Sequence, residues 1–317
     1  MPRVPLLAPA LLLLAACGST TSAGSPADRS GSASAQAGGK QLKVVTTTTQ
    51  VADFTRNVAG DKADVTQLLK PNIDPHDYET SPADVRALAQ ADVVVVNGVG
   101  LESGWLDPAL EAAGFAGTKV DTSRGVQVRK GDGTDEQAAG DPHIWHDPRN
   151  AATMVGDIAA ALSAADPADA PVFAANADAY RARLDALDAD IQRKINTLPV
   201  DDRKLVTNHD AFGYYIARYQ LEFVGSLIPS FDTSAGLSGT QINDLVSKIK
   251  ATGTKAIFSE SSLPANAAET LAKEAGVKVE AGEASLYGDT LGPQGSAGAT
   301  YLQMEEHNTD TIVGALR

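Results

Sequence analysis

The sequence predicts an α/β protein of two lobes, each built on a mostly parallel sheet, joined by one long interdomain helix. Three observations carry this. Val- and Thr-rich strand signals alternate with helix signals in both halves of the chain, the order that builds parallel sheets flanked by helices. The run Val93-Val94-Val95-Val96 reads as a strand buried on both faces. Near the middle of the chain, apolar residues at Phe173, Ala177, Tyr180, Leu184, Leu187, Ile191 and Ile195 recur every three or four positions, which marks one face of a helix.

Taken in order, the chain opens as a targeting segment. Arg3 is followed by an apolar run from Val4 to Ala16, too short for a comfortable membrane span. The end of that run, Leu14-Ala15-Ala16-Cys17-Gly18, resembles the lipobox of bacterial lipoproteins. The resemblance implies removal of residues 1–16 and a diacylglyceryl group on the sulfur of Cys17. A plain signal peptide with an incidental cysteine is the other reading. Residues 17–40 are rich in Ser, Ala and Gly, lack the apolar surface to fold, and read as a flexible tether.

A first lobe is expected over residues 41–170. Leu42 to Thr49 is a β-rich strand, Val51 to Gly60 a helix and Asp64 to Leu69 a second strand. Ser81-Pro82 opens a further helix with a cap and a proline at its first position. The strand containing Val93–Val96 leads into Gly98-Val99-Gly100, which lacks the third glycine of a dinucleotide fingerprint. From Lys119 to Ile144 the chain turns polar, and Lys130 to Glu136 reads as a glycine-rich acidic surface loop.

The linking helix is expected over residues 171–198, bracketed by Pro171 and Pro199. At roughly 1.5 Å per residue it would reach about 40 Å, the width of a domain. A second lobe follows over residues 199–317. It has strands at Lys204–Thr207, Ala256–Ser259 and Val277–Glu280, and helices at Gln241–Thr252, Ala265–Gly276 and Thr300–Leu316.

Composition narrows the chemistry. The formal net charge of -14 argues against nucleic acid as a partner. The single cysteine leaves no internal disulfide and no thiolate cluster, so a metal site must use imidazole and carboxylate. Two of only five histidines fall in Asp141-Pro142-His143-Ile144-Trp145-His146-Asp147-Pro148, and the same Asp-Pro-His triplet stands at Asp74-Pro75-His76. Proline stiffens both turns. A carboxylate two residues before each imidazole could hold its second ring nitrogen. Alone, either triplet also reads as an ordinary Asp-Pro turn with an exposed histidine.

His76, His143, His209 and Asp289 all fall on loops that follow strands, two in each lobe. Ligands of open α/β sheets bind outside those strand ends, so the set would converge between the lobes. Three imidazoles and a carboxylate suit zinc in near-tetrahedral geometry. With all four positions filled by protein, no open position remains for a reacting water, which favours holding a metal over catalysis.

The motifs Asp74-Pro75-His76 with Tyr78-Glu79, Asp141-Pro142-His143-Ile144-Trp145 with Asp147-Pro148, His209-Asp210-Ala211-Phe212-Gly213-Tyr214, and Tyr287-Gly288-Asp289-Thr290-Leu291-Gly292 resemble those of the extracytoplasmic metal-binding receptors of zinc and manganese ABC importers. The resemblance spans residues 42–317. It implies that His76, His143, His209 and Asp289 ligate the metal and that a permease in the membrane is the partner of a monomeric, lipid-anchored receptor. Manganese receptors of the family usually carry glutamate at the third position. His209 stands there in this chain, so Zn2+ is the expected cargo. His146 is a candidate accessory ligand or a passive neighbour, and residues 130–140 lack the histidine-rich stretch of many zinc members.

Two rival readings differ in class. A zinc hydrolase would need an open metal position and a base such as Glu79 or Glu260. A surface adhesin would need only the anchor.

Overall fold

The computed structural model describes residues 41–131, 138–233 and 239–317. The leader, Cys17, the tether and most of the acidic loop, residues 132–137, lie outside the described residues.

In the first half, β1 (Leu42–Thr46), α1 (Thr49–Ala59), β2 (Ala63–Gln67), α2 (Pro82–Gln90), β3 (Val93–Val96), α3 (Leu106–Ala113) and β4 (Thr118–Asp121) follow one another. A short 3-10 turn, Ile144–His146, leads into α4 (Pro148–Ala165) and α5 (Ala170–Ile195). The second half runs β5 (Lys204–His209), α6 (Gly213–Tyr219), β6 (Glu222–Ile228), α7 (Gly239–Thr252), β7 (Ala256–Phe258), α8 (Asn266–Ala275), β8 (Lys278–Glu280) and α9 (Tyr301–Leu316).

The strands form two four-stranded sheets, ordered β2-β1-β3-β4 and β6-β5-β7-β8. Every pairing in both is parallel, as the alternation of elements requires. The two orders are equivalent, each reversing beside its first strand. Such a reversal leaves a crevice at the carboxyl ends of the two strands that flank it.

Local chemistry sets the element ends. Ser81 Oγ accepts from the Asp84 amide while the Asp84 carboxylate accepts from the Ser81 amide, a reciprocal cap that starts α2. Asp147 accepts from the Arg149 amide, and Pro148 occupies the first position of α4. α8 stops where Gly276 turns left-handed.

α5 spans 26 residues, about 39 Å at the usual rise. Its buried residues are the seven of the apolar stripe, Phe173 through Ile195. It ends before Leu198 because the chain tightens there, the Leu198 amide donating to the Ile195 carbonyl at 3.0 Å. α5 lies against α1, α4, α6 and α9. One continuous apolar core contains its stripe, Val44 and Val95 of the first sheet, and Leu205 and Phe258 of the second.

Four elements differ from the sequence reading. β4 lies inside the stretch read as polar, with only Val120 of its four residues buried. α3 fills a segment assigned no element. α4 also fills a segment assigned no element, although its buried Ala151, Met154, Val155, Ile158 and Leu162 follow the helical period. α6 is one short helix of 7 residues behind Gly213.

Candidate metal centre

His209 closes β5, and Glu260 lies just past β7, on the two sides of the crevice where the second sheet reverses. His143 precedes the 3-10 turn, His76 lies in the loop after β2, and Asp289 lies in the loop between β8 and α9. The structure brings all four together. One ligand atom from each of His76, His143, His209 and Asp289 lies within 4.8 Å of every other.

Asp289 Oδ1 is the hub. It stands 3.3 Å from His143 Nε2, 3.4 Å from His209 Nε2 and 3.8 Å from His76 Nε2. The Nε2 atoms of His143 and His209 are 3.3 Å apart. A regular tetrahedron of metal bonds about 2.0–2.1 Å long has edges of about 3.3–3.4 Å. The edges among His143, His209 and Asp289 meet that value, and His76 stands slightly wide. His143, His209 and Asp289 are fully buried, whereas the His76 side chain keeps 6 % exposure. Neither His76 Nε2 nor Asp289 Oδ1 has a hydrogen-bond partner within the protein, an arrangement that would be costly unless a ligand satisfies it.

Carboxylates behind two of the rings set their tautomers. His143 Nδ1 faces Asp141 Oδ1 at 2.8 Å, and His209 Nδ1 faces both Glu260 oxygens at 3.0 and 2.9 Å. In each case Nδ1–H donates outward and Nε2 is the atom turned inward, where a metal would take it. The expected third pairing is absent. Asp74 Oδ1 accepts from the His76 backbone amide at 2.9 Å, and Asp74 Oδ2 accepts from Thr233 Oγ1 at 2.6 Å. His76 is therefore held by its loop and not by its ring.

Arg129 and Tyr214 brace Asp141. Arg129 Nη1 pairs with Asp141 Oδ2 at 2.5 Å, and Tyr214 Oη donates to the Asp141 carbonyl at 2.8 Å while accepting from the Arg129 amide at 2.9 Å. A Cβ at Gly213 would meet the Arg129 guanidinium and displace it from Asp141.

The charges follow from this packing. Burial disfavours the imidazolium of His143, but the hydrogen bond to Asp141 and the negative charges of Asp141 and Asp289 outweigh it and push the ring up to about 9. Burial works against His209 likewise, and the charges of Glu260 and Asp289 carry it well above the usual histidine range. Burial alone would raise Asp289, yet the charge of His209 and the close approach of the three rings hold its carboxyl well below the usual carboxylate range.

His146 is not among the converging atoms. It is fully buried, with Nδ1 2.8 Å from Glu305 Oε1 and Nε2 2.9 Å from the Gly288 carbonyl. Trp145 packs beneath the centre, its ring 5.4 Å from His143, and Nε1 donates to the same carbonyl at 3.1 Å. His307 lies at the periphery, its Nε2–H donating to the Ser285 carbonyl at 2.9 Å. Glu79 is exposed in the loop beyond His76.

The residues around the four were harder to find. Glu305 occupies an apolar-face position of α9 with Tyr301, Met304, Asn308 and Ile312, all buried. A carboxylate on a core stripe is the signal that could have found it. A cavity of about 380 Å³ lies beside the centre, lined by Leu101, Pro142, Phe231 and, of the four, His76 alone.

Two parallel-sheet lobes and one long helix, with three rings and a carboxylate closing on one point, define a two-lobed metal-binding receptor. A family model described as the zinc-uptake complex component A, periplasmic (ZnuA), matches residues 44–315. The chain belongs to this family, the substrate-binding proteins of metal ABC importers. It is 32 % identical over 285 residues, 88 % of this chain and 91 % of the other, to the manganese ABC transporter substrate-binding lipoprotein PsaA of Streptococcus mitis. It is 35 % identical over 311 residues, 97 % of this chain and 96 % of the other, to the manganese-binding lipoprotein MntA of Bacillus subtilis (strain 168). Among solved structures it resembles the periplasmic zinc binding protein TroA of Treponema pallidum, with a TM-score of 0.80 and 32 % identity, covering 88 % of this chain and 99 % of that one.

Proposed function

We propose that the protein captures Zn2+ through His76, His143, His209 and Asp289 and delivers it to the permease of an ABC importer. The observation that carries this reading is the set of edges of 3.3–3.4 Å among two Nε2 atoms and Asp289 Oδ1. Those are the edges of a zinc tetrahedron. Three imidazole nitrogens to one carboxylate oxygen is also a softer donor set than manganese favours.

Carriage is favoured over hydrolysis because four protein donors fill a tetrahedron. Both oxygens of Glu260, the candidate base, face Nδ1 of His209, on the side of the ring away from the centre.

A second reading, a manganese receptor of the same family, is favoured by the names of PsaA and MntA. Competition titration of the purified chain separates the two. Zinc binding at least about a hundredfold tighter than manganese is the expected result, in line with the metal preferences of nitrogen-rich sites. Equal or tighter manganese binding would hand the site to the second reading. His143→Ala should weaken zinc binding by orders of magnitude, and an unchanged affinity would remove His143 from the ligand set.

The leader at residues 1–16, a lipid on Cys17 and a tether over 17–40 would hold the receptor at the outer face of the cell membrane. Lipoprotein relatives support that reading, and among the described residues no helix is long and apolar enough to cross a membrane. Mass spectrometry of the mature protein tests it: a diacylglyceryl mass on Cys17 is expected, and an unmodified Cys17 would exclude the anchor.

A further inference from the structure

The carbonyl of Gly288, the residue before Asp289, is held from two sides by buried side chains of the Asp141–Pro148 segment. Trp145 Nε1 stands 3.1 Å away and His146 Nε2 2.9 Å away. A carbonyl oxygen only accepts, so His146 carries its proton on Nε2. Its Nδ1 then faces Glu305 Oε1 at 2.8 Å across one shared proton, whichever of the two atoms holds it. His146 and Glu305 thus form a dyad with no net charge. The ring also stacks on Phe212, with centroids 4.5 Å apart and planes 29° apart. All three are buried, so the dyad is shielded from bulk solvent and has little room to turn.

The same loop is tied at its next residues. Gln50 Nε2 donates to the Asp289 carbonyl at 2.8 Å, and the Leu291 amide donates to Thr49 Oγ1 at 2.8 Å. Asp289 belongs to the second half of the chain by sequence, yet its backbone is fastened to the first half by α1 and by the 3-10 turn.

We infer that His146, held by Glu305, is a positioning residue for the metal centre: its hydrogen bond to the Gly288 carbonyl keeps Asp289 aimed at the three imidazoles before metal arrives and slows metal release. This rests on the zinc reading above. It gives His146 a role in the site without making it a ligand.

The test compares His146→Gln with His146→Leu in the full chain, reading zinc dissociation into excess chelator well below the melting temperature. Gln can place an amide N–H near the Nε2 position, while Leu fills similar volume and donates nothing. Removing such outer partners costs about tenfold to a hundredfold in metal affinity. Dissociation at least about tenfold faster in His146→Leu is expected, with His146→Gln within about threefold of wild type. A loss of fold stability alone would lower the melting temperature of both variants without this split.

Equal dissociation rates in the two variants, or a wild-type rate in His146→Leu, would overturn the inference. If His146→Leu does not fold, Glu305→Leu against Glu305→Gln gives the same contrast, since Gln can still bond to Nδ1. Asp289→Ala is the control for the underlying reading. If it leaves zinc binding intact, the four-ligand site fails; if it abolishes binding while the His146 variants release zinc normally, only the present inference fails.

Discussion

His143 and His209, 66 residues apart in the chain, present their Nε2 atoms to each other at 3.3 Å while their Nδ1 atoms point away to Asp141 and Glu260. Two Nε2 atoms do not normally come so close in a buried site. The carboxylates behind them impose it, and a shared cation or proton resolves it.

Identity of the third donor should set the metal. His209→Glu replaces a nitrogen by an oxygen, and carboxylate-rich sites suit manganese better than zinc. Competition titration should show the zinc-to-manganese affinity ratio falling by about tenfold or more. A ratio unchanged by the substitution would mean that geometry, not donor type, selects the metal.

The Glu260 carboxylate should matter without touching the metal. Glu260→Gln keeps the volume but weakens the acceptor for His209 Nδ1–H, and zinc affinity should drop about tenfold to a hundredfold. Isothermal titration measures this directly, and an affinity equal to wild type would deny Glu260 that part.

Zinc affinity should rise with pH up to about 9, because metal must displace the proton that His143 holds to about that pH. The sign for stability is opposite. With its folded value above the ordinary 6.5, His143 stabilises the metal-free fold fully below that pH and loses the contribution as pH climbs through about 9. Titration in buffers of different ionisation enthalpy should reveal proton release on zinc binding at neutral pH. No buffer dependence would contradict the assignment.

Gly288→Ala should damage the centre although glycine binds nothing there. A Cβ would meet Glu260 Oε2, so Glu260 must shift off His209. Zinc affinity should fall about as far as in Glu260→Gln, together with a lower melting temperature from the overpacking. An unaltered melting temperature and affinity would show that the loop simply moves aside.

Zinc should change the shape of the molecule little. One apolar core runs through both halves along α5, so wide rotation of one half would expose packed surface. Small-angle scattering profiles with and without zinc should superimpose. A change in radius of gyration of more than about 2 Å, against roughly 19 Å for a compact chain of this size, would mean a wide hinge.

Much of this was legible in the sequence, for physical reasons. α5 could be read because its seven buried residues obey the helical period with little interruption. His76 and His143 stood out because histidine is rare in the chain and both sit in the same Asp-Pro-His turn, whereas His209 and Asp289 rested on the resemblance of their motifs. What failed to show was whatever depends on distant partners. Glu260 pairs with His209 across 51 residues and Glu305 with His146 across 159, and no local pattern encodes such separations. The Asp-Pro-His repeat also promised one device used twice, but Asp74 secures its own backbone and Thr233. Both aspartates accept from the amide of their own histidine, but only Asp141 also meets the ring.

The apolar stripe of α5 has a consequence for any attempt to divide the protein. Severed in the stretch after Ile195, the polypeptide would yield two pieces, one ending in a helix whose greasy flank is partly uncovered and the other missing the surface it folds against. Each alone should aggregate, and coexpressed they should find one another and restore a working receptor.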